Sequence, residues 1–337
     1  MHRRQLVTLA TASPLVASAA AGAMPASGAG GDGDQEGGEL DASLRRFRAL
    51  PGTMSYLVHA GPGGSLGRFA HRPTLLLFSA SAYKTFVLGQ YMRDVEAGLL
   101  SEDEQLAIDD SVRDFGSPVF SGLAGTTTAR SVLEAMIAQS DNTATNAASV
   151  KVGGDRVRAL VAGAGLRSIR IPDTARTFES YVAGAPPGVD LGWPGVAQAL
   201  QNPSGPLRPL LNDVITLAGN ARDFVSWYEQ ALRGMLFAKP ETLAEFKRIQ
   251  AMSKQIVLAV PPDTAAYAKG GEVADFDGFN AKSFAGQMVV DGAGGRTPVT
   301  FCFLVNWEGS AGEFPAVEAE FFLAIQGILG AVERALR

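Results

Sequence analysis

Three short clusters in this sequence bring together residue types suited to nucleophilic chemistry. The first is Ser81-Ala82-Tyr83-Lys84. Helix residues three apart project from one face, one turn apart, so Ser81 and Lys84 would stand side by side. A serine hydroxyl is a weak nucleophile until a base takes its proton. A lysine in an enclosed, partly desolvated site can become weak enough as a cation to be that base. A serine at a helix N-terminus also gains from the positive end of the dipole as negative charge develops. The second cluster is Ser140-Asp141-Asn142, which follows the periodic apolar segment 128–139. The third is Lys269-Gly270-Gly271, on an apparent strand. Each has a plain structural reading when taken alone: a helix start with an exposed lysine, a polar cap or turn, a loop lysine.

Other nucleophile and base pairings are poorly supplied. Beyond the first residues the chain has only His59 and His71, both ahead of Ser81 on apparent strands. A Ser-His-Asp triad would need one of them, and neither lies in a segment that presents a base. The single cysteine, Cys302, sits in the apolar run Phe301-Cys302-Phe303-Leu304-Val305 and reads as a core residue. It excludes an intramolecular disulfide and a cysteine zinc site. No histidine or carboxylate cluster has metal-ligand spacing, so neither metal nor cofactor is expected.

The elements that must position these clusters can be read from periodicity. Leu40, Leu44 and Phe47 fall at helical spacing, and Pro51-Gly52 ends that helix. Residues 53–59 and 67–71 read as strands around the turn Pro62-Gly63-Gly64. The middle is helical, with apolar spacings of three and four over 84–99 and 128–139. Ser101 to Glu104 has the form of a capping box opening a short segment. Residues 186–209 hold six prolines and predict an extended loop, with helix resuming near Leu210 and Ala221. Residues 284–290 and 299–307 read as strands, and 316–337 as a closing amphipathic helix. Strands at both ends with helices between predict an α+β fold, one sheet built from both termini around an all-helical insertion.

Arg3-Arg4 followed by a mild, Ala-rich apolar stretch reads as an export signal over residues 1–23, resembling the twin-arginine type. A-x-A sites place cleavage after Ala19 or Ala23. Pro14 and polar residues interrupt the stretch, so no retained membrane anchor is expected. Residues 24–38 are rich in Gly, Ala and acidic residues and read as a disordered linker, leaving 39–337 as one domain. With 46% apolar residues, net charge −5 and no basic block, the chain can build a large core and is a poor match for nucleic acid. A periplasmic or secreted monomer is expected.

The three clusters in this order, S-x-x-K then S-D-N then a K-T-G-like strand, resemble the signature of class A β-lactamases and penicillin-binding proteins. The flanks are similar too: Phe78-Ser79-Ala80-Ser81-Ala82-Tyr83-Lys84, Gly98-Leu99-Leu100-Ser101 with Glu104-Gln105, and 136–146, Met-Ile-Ala-Gln-Ser-Asp-Asn-Thr-Ala-Thr-Asn. The resemblance covers roughly residues 40–337 and implies that family's fold, a helix-flanked antiparallel sheet plus an all-helical region. It implies that Ser81 attacks a carbonyl and Lys84 accepts its proton. Ser140 would pass a proton to the leaving nitrogen, Asn142 orient the substrate amide, and Lys269 draw a substrate carboxylate. The backbone N–H groups of Ser81 and Glu272 would form the oxyanion hole. The implied substrate is a small β-lactam, amide or ester.

Two positions depart from the family. Gly270 stands where threonine or serine usually helps bind the substrate carboxylate. A lost hydrogen bond of that kind is worth about 1.5–3 kcal/mol. The deacylating glutamate should lie on a loop after S-D-N, where Glu179 is the one glutamate in range. Its neighbours match poorly, so it reads either as a water-activating base or as a solvated loop residue. β-Lactam hydrolysis is the leading expectation. An esterase, a D,D-carboxypeptidase and a penicillin-binding protein without turnover fit the same motifs.

Overall fold

The computed structural model describes residues 32–203 and 205–337. The export signal, and residues 24–31 of the expected linker, lie outside the described residues. The first helix, α1 (Asp32–Arg48), begins inside the segment read as linker. Strands β1 (Thr53–Ala60) and β2 (Gly67–His71) follow, then the two-residue β3 (Leu77–Phe78) and helix α2 (Lys84–Glu96). The insertion comprises β4 (Gln105–Ile108), β5 (Gly125–Thr128), α3 (Ala129–Ala138), α4 (Asn142–Val152), α5 (Gly154–Gly163), α6 (Ala175–Val182) and α7 (Gly192–Gln201). It continues through β6 (Ala218–Gly219), α8 (Ala221–Leu232), α9 (Pro240–Gln250) and α10 (Ile256–Ala259). The chain then returns to strands β7 (Ala265–Phe276), β8 (Phe279–Gly292) and β9 (Gly295–Glu308), and closes with α11 (Phe314–Leu336).

The main sheet is five-stranded and antiparallel, in the order β2-β1-β9-β8-β7, so strands from both ends meet at the β1–β9 pair. This is the expected α+β layout. Alternation along β9 divides the core into two layers. Phe301, Phe303 and Val305 face α1 and α11, while Cys302 and Leu304 face the helical insertion. Phe47 of α1 is fully buried against Tyr56, Phe303 and Phe321. Burying such a ring contributes about 1.5–3 kcal/mol.

Three stretches differ from the sequence expectation. Inside the proline-rich segment, α7 forms because Pro194 falls in its first turn, where a missing N–H costs nothing. Its Val196 is buried, and Trp193 packs edge-on to Phe115. No helix forms near Leu210. The Asn212 side chain instead accepts from the N–H groups of Val214 and Ile215 and donates to the Pro209 and Ile215 carbonyls. Those bonds offer the backbone an alternative to helix. Ser101 Oγ accepts from Asp103 N–H, but the turn it closes leads into β4 rather than a helix.

Candidate active site

Ser81 lies on a single 3₁₀ turn, Ala80–Tyr83, that runs directly into α2. The turn is sharp, with Ala80 at φ 46°. Two strands of the sheet and the segment before β6 pin it. Asn306 of β9 accepts from Phe78 N–H at 2.9 Å and donates to the Phe78 carbonyl at 2.9 Å. Ser283 Oγ of β8 donates to the Ser79 carbonyl at 2.7 Å. Ser79 N–H donates to the Leu217 carbonyl at 2.8 Å. Glycine at 271 lets β7 close on the turn, since a Cβ there would lie 2.4 Å from Ser81 N and 2.7 Å from the Ser79 carbonyl oxygen. That contact sets Glu272 on the same small cavity as Ser81, Asn142 and Glu179.

Lys84 is completely buried one turn behind Ser81. Its Nζ donates to the Ser140 carbonyl at 2.6 Å, to Asn142 Oδ1 at 2.6 Å and to Ser140 Oγ at 3.2 Å. Burial is the main cause that lowers its pKa, to about 7, against the upward pull of Asp141, Asp114 and Glu179. No hydrogen bond joins Ser81 Oγ to Lys84 among the described residues; such contacts commonly tighten only as substrate enters.

Ser140 reaches this lysine because its backbone is left-handed, at φ 60°. A non-glycine residue pays for that conformation, on the order of 1–3 kcal/mol. The next residue fixes the bend. Asp141 caps α4 through Ala144 N–H and accepts from Val119 and Phe120 N–H. From the opposite side Lys269 of β7, also buried, donates to Ser140 Oγ at 3.0 Å and to the Gly270 carbonyl at 2.5 Å. Burial first, then the Lys84 charge, hold Lys269 well below the usual lysine range.

Glu179 belongs to α6, not to a solvated loop. It is 5% exposed and its Oε2 has no hydrogen-bond partner. The helix starts on the Thr174 cap and on Asn146 Oδ1, which accepts from Ala175 N–H at 2.9 Å. Buried Arg176 locks it down, donating to the Asp110, Ser111 and Arg113 carbonyls and to Asp190. Glu179 also shares a side-chain hydrogen bond with Asp114, a residue the motifs did not single out. Two carboxyls can bond this way only if one keeps its proton. Burial, then the Asp114 charge, push the Glu179 pKa well above the usual range. Asp114 in turn accepts from Asn146 Nδ2 at 2.8 Å. Asn146 was visible as part of the S-D-N segment, but Asp114 carries no local signal.

The remaining candidates fall elsewhere. His59 pairs with Glu229 at 3.0 Å, and His71 stacks on Tyr56. Cys302 is buried in β9, where burial raises its thiol pKa. Among the described residues, no three His, Cys, Asp or Glu side chains converge as metal ligands would.

Residues 40–188 match the model of a family described as the beta-lactamase enzyme family, a span that takes in Ser81, Lys84, Ser140, Asn142 and Glu179 but not Lys269. The fold is shared with solved structures at low identity. A β-lactamase from Sphaerobacter thermophilus superposes with a TM-score of 0.66 at 19% identity, over 89% of this chain and 97% of that one. One from Chitinophaga pinensis gives 0.67 at 15%, over 89% and 100%. The protein PBP-A gives 0.65 at 15%, over 88% and 96%. No curated protein sequence matches. What the chain shares with these proteins is the partial family match over residues 40–188 and the fold, that of β-lactamases and PBP-A.

Proposed function

We propose that this protein hydrolyses β-lactams through an acyl-enzyme on Ser81. Ser81 Oγ bonds to the lactam carbonyl carbon and its proton passes to Lys84. The carbonyl oxygen becomes an oxyanion facing the N–H groups of Ser81 and Glu272. The C–N bond then breaks, and the leaving nitrogen takes the Ser140 hydroxyl proton, which Lys84 or Lys269 replaces. Water hydrolyses the ester, giving its proton to Glu179 in the ionised form, and Ser81 regains its own. The observation that carries this reading is Ser140 Oγ within hydrogen-bond distance of both Lys84 and Lys269. Asn142 lies beside them on the Ser81 cavity.

One observation favours a second reading. Glu179 is buried beside Asp114, a setting that raises its pKa and favours its neutral form, which would slow deacylation and leave a penicillin-binding protein that turns over poorly. A variant of PBP-A has been solved as an acyl-enzyme with penicillin G. Stopped-flow kinetics with a chromogenic cephalosporin separate the two. A burst followed by steady hydrolysis supports the lactamase. A burst alone supports the second reading, and no burst rejects both in favour of an esterase or a carboxypeptidase. We further propose export with removal of the signal after Ala19 or Ala23; mass spectrometry showing a mature secreted chain that begins at Met1 would reject it.

A further inference from the structure

The space beside Gly270 is already taken. A Cβ built on Gly270 would lie 1.8 Å from Gln255 Oε1, 2.6 Å from Gln255 Cδ and 2.8 Å from the Ser283 carbonyl oxygen. The terminal amide of Gln255 therefore occupies the volume that the side chain of a threonine or serine at 270 would fill. Gln255 is 5% exposed, and its Oε1 is buried without a hydrogen-bond partner. A buried polar atom left unpaired is costly and asks for an explanation. None is found in packing alone, because an apolar side chain of similar length would fill the same space without that cost.

The segment carrying Gln255 is held at the site from both sides. Lys254 N–H donates to the Ala138 carbonyl, at the end of α3 just before Ser140. Gln255 stands at the N-cap position of α10 without a side-chain capping bond, and the buried Ala259 of that helix packs in the core layer shared with β7. The charge of Lys254 acts on both Lys84 and Lys269. An amide beside Lys269, in a field of positive charge, suits an anionic substrate group. A half-turn of the amide exchanges its C=O for its NH₂, so it can donate to a carboxylate from the place where it now stands.

We propose that Gln255 is the specificity-determining residue that replaces the missing hydroxyl at 270, donating a hydrogen bond from its amide to the substrate carboxylate beside Lys269. This rests on the acyl-enzyme reading of Ser81. It also explains the glycine: Gly270 is required by the glutamine, and the two positions have exchanged which one supplies the polar group.

The test is a cycle of Gly270→Thr, Gln255→Ala and the double variant. It is read by melting temperature and by acylation with a fluorescent penicillin and with that penicillin's methyl ester, which lacks the carboxylate. Gly270→Thr alone should lower both the melting temperature and acylation, because the threonine meets Gln255. Gln255→Ala should raise the half-saturating penicillin concentration about tenfold, as for one lost charge-assisted hydrogen bond, and change that for the ester less than twofold. The double variant should recover part of the lost stability and penicillin acylation, because the contact with the Ser283 carbonyl remains when Gln255 is shortened. Equal effects of Gln255→Ala on penicillin and ester, or a double variant no better than Gly270→Thr, would overturn the proposal. If the wild-type chain is not labelled at Ser81 by either probe, the acyl-enzyme reading fails on its own. The melting temperatures still decide the steric exchange, since additive losses in the double variant would refute it.

Discussion

Lys84 and Lys269 donate from opposite sides to one oxygen, Ser140 Oγ, at 3.2 and 3.0 Å. Two buried ammonium groups on a single hydroxyl disfavour one another's charge. The pair is thereby kept close to the point at which one of them gives up its proton, as a relay through Ser140 requires.

Ser81→Ala should abolish covalent labelling by a fluorescent penicillin or a fluorophosphonate, and any cephalosporin hydrolysis with it. Intact-protein mass spectrometry of the labelled wild type reads the site. An adduct on a different serine removes the assignment.

Lys84→Ala should slow acylation by at least ~10², the usual span for a lost general base. In the wild type only the neutral amine can accept a proton. Burial lowers the Lys84 pKa to about 7, so acylation should rise with pH through that value and then level off. A rate independent of pH from 5 to 9 would point to another base.

Asp114→Asn addresses the carboxyl pair. Burial and the Asp114 charge both raise the Glu179 pKa. Removing the charge lets it fall, and Glu179 is then ionised at lower pH. The limb on which deacylation rises with pH should shift toward acid, while acylation keeps its own profile. Single-turnover decay of the acyl-enzyme measures this, and an unmoved limb rejects the role given to Glu179.

Asn306→Leu keeps the branching and the number of side-chain heavy atoms but leaves Phe78 N–H and C=O buried and unpaired. Each orphaned group costs about 1–3 kcal/mol, so equilibrium unfolding in urea should show a loss of about 2–6 kcal/mol. Acylation should fall as well, because the turn bearing Ser81 loses an anchor. A stability change below about 0.5 kcal/mol, the level of an ordinary surface substitution, would contradict it.

Much of this was legible in the sequence because it is local. Periodicity marks the long helices, short apolar runs bounded by turn residues mark β1 and β9, and Ser81-x-x-Lys84, Ser140-Asp141-Asn142 and Lys269-Gly270 are each contiguous. What escaped depends on contacts across the chain. Asp114 matters only because Asn146 and α6 fold over it. Gln255 matters only because the space beside Gly270 must hold something. Helix α7 was hidden by prolines whose effect depends on their position within the turn. Glu179 was in range, but its burial is set by Arg176 reaching carbonyls more than sixty residues away in sequence.

The pairing of β1 with β9 has a consequence for how the fold comes into being. The strand that anchors the turn bearing Ser81 through Asn306 lies in the last tenth or so of the chain. A ribosome-bound or unfinished polypeptide therefore holds Ser81 and Lys84 without the frame that aligns them. Contacts of such long sequence separation form late and slowly. Until they form, the apolar faces of β1 and the helical insertion stay open to association with other chains. Catalytic competence should thus appear as a late, all-at-once event in refolding, after most of the helical signal has returned.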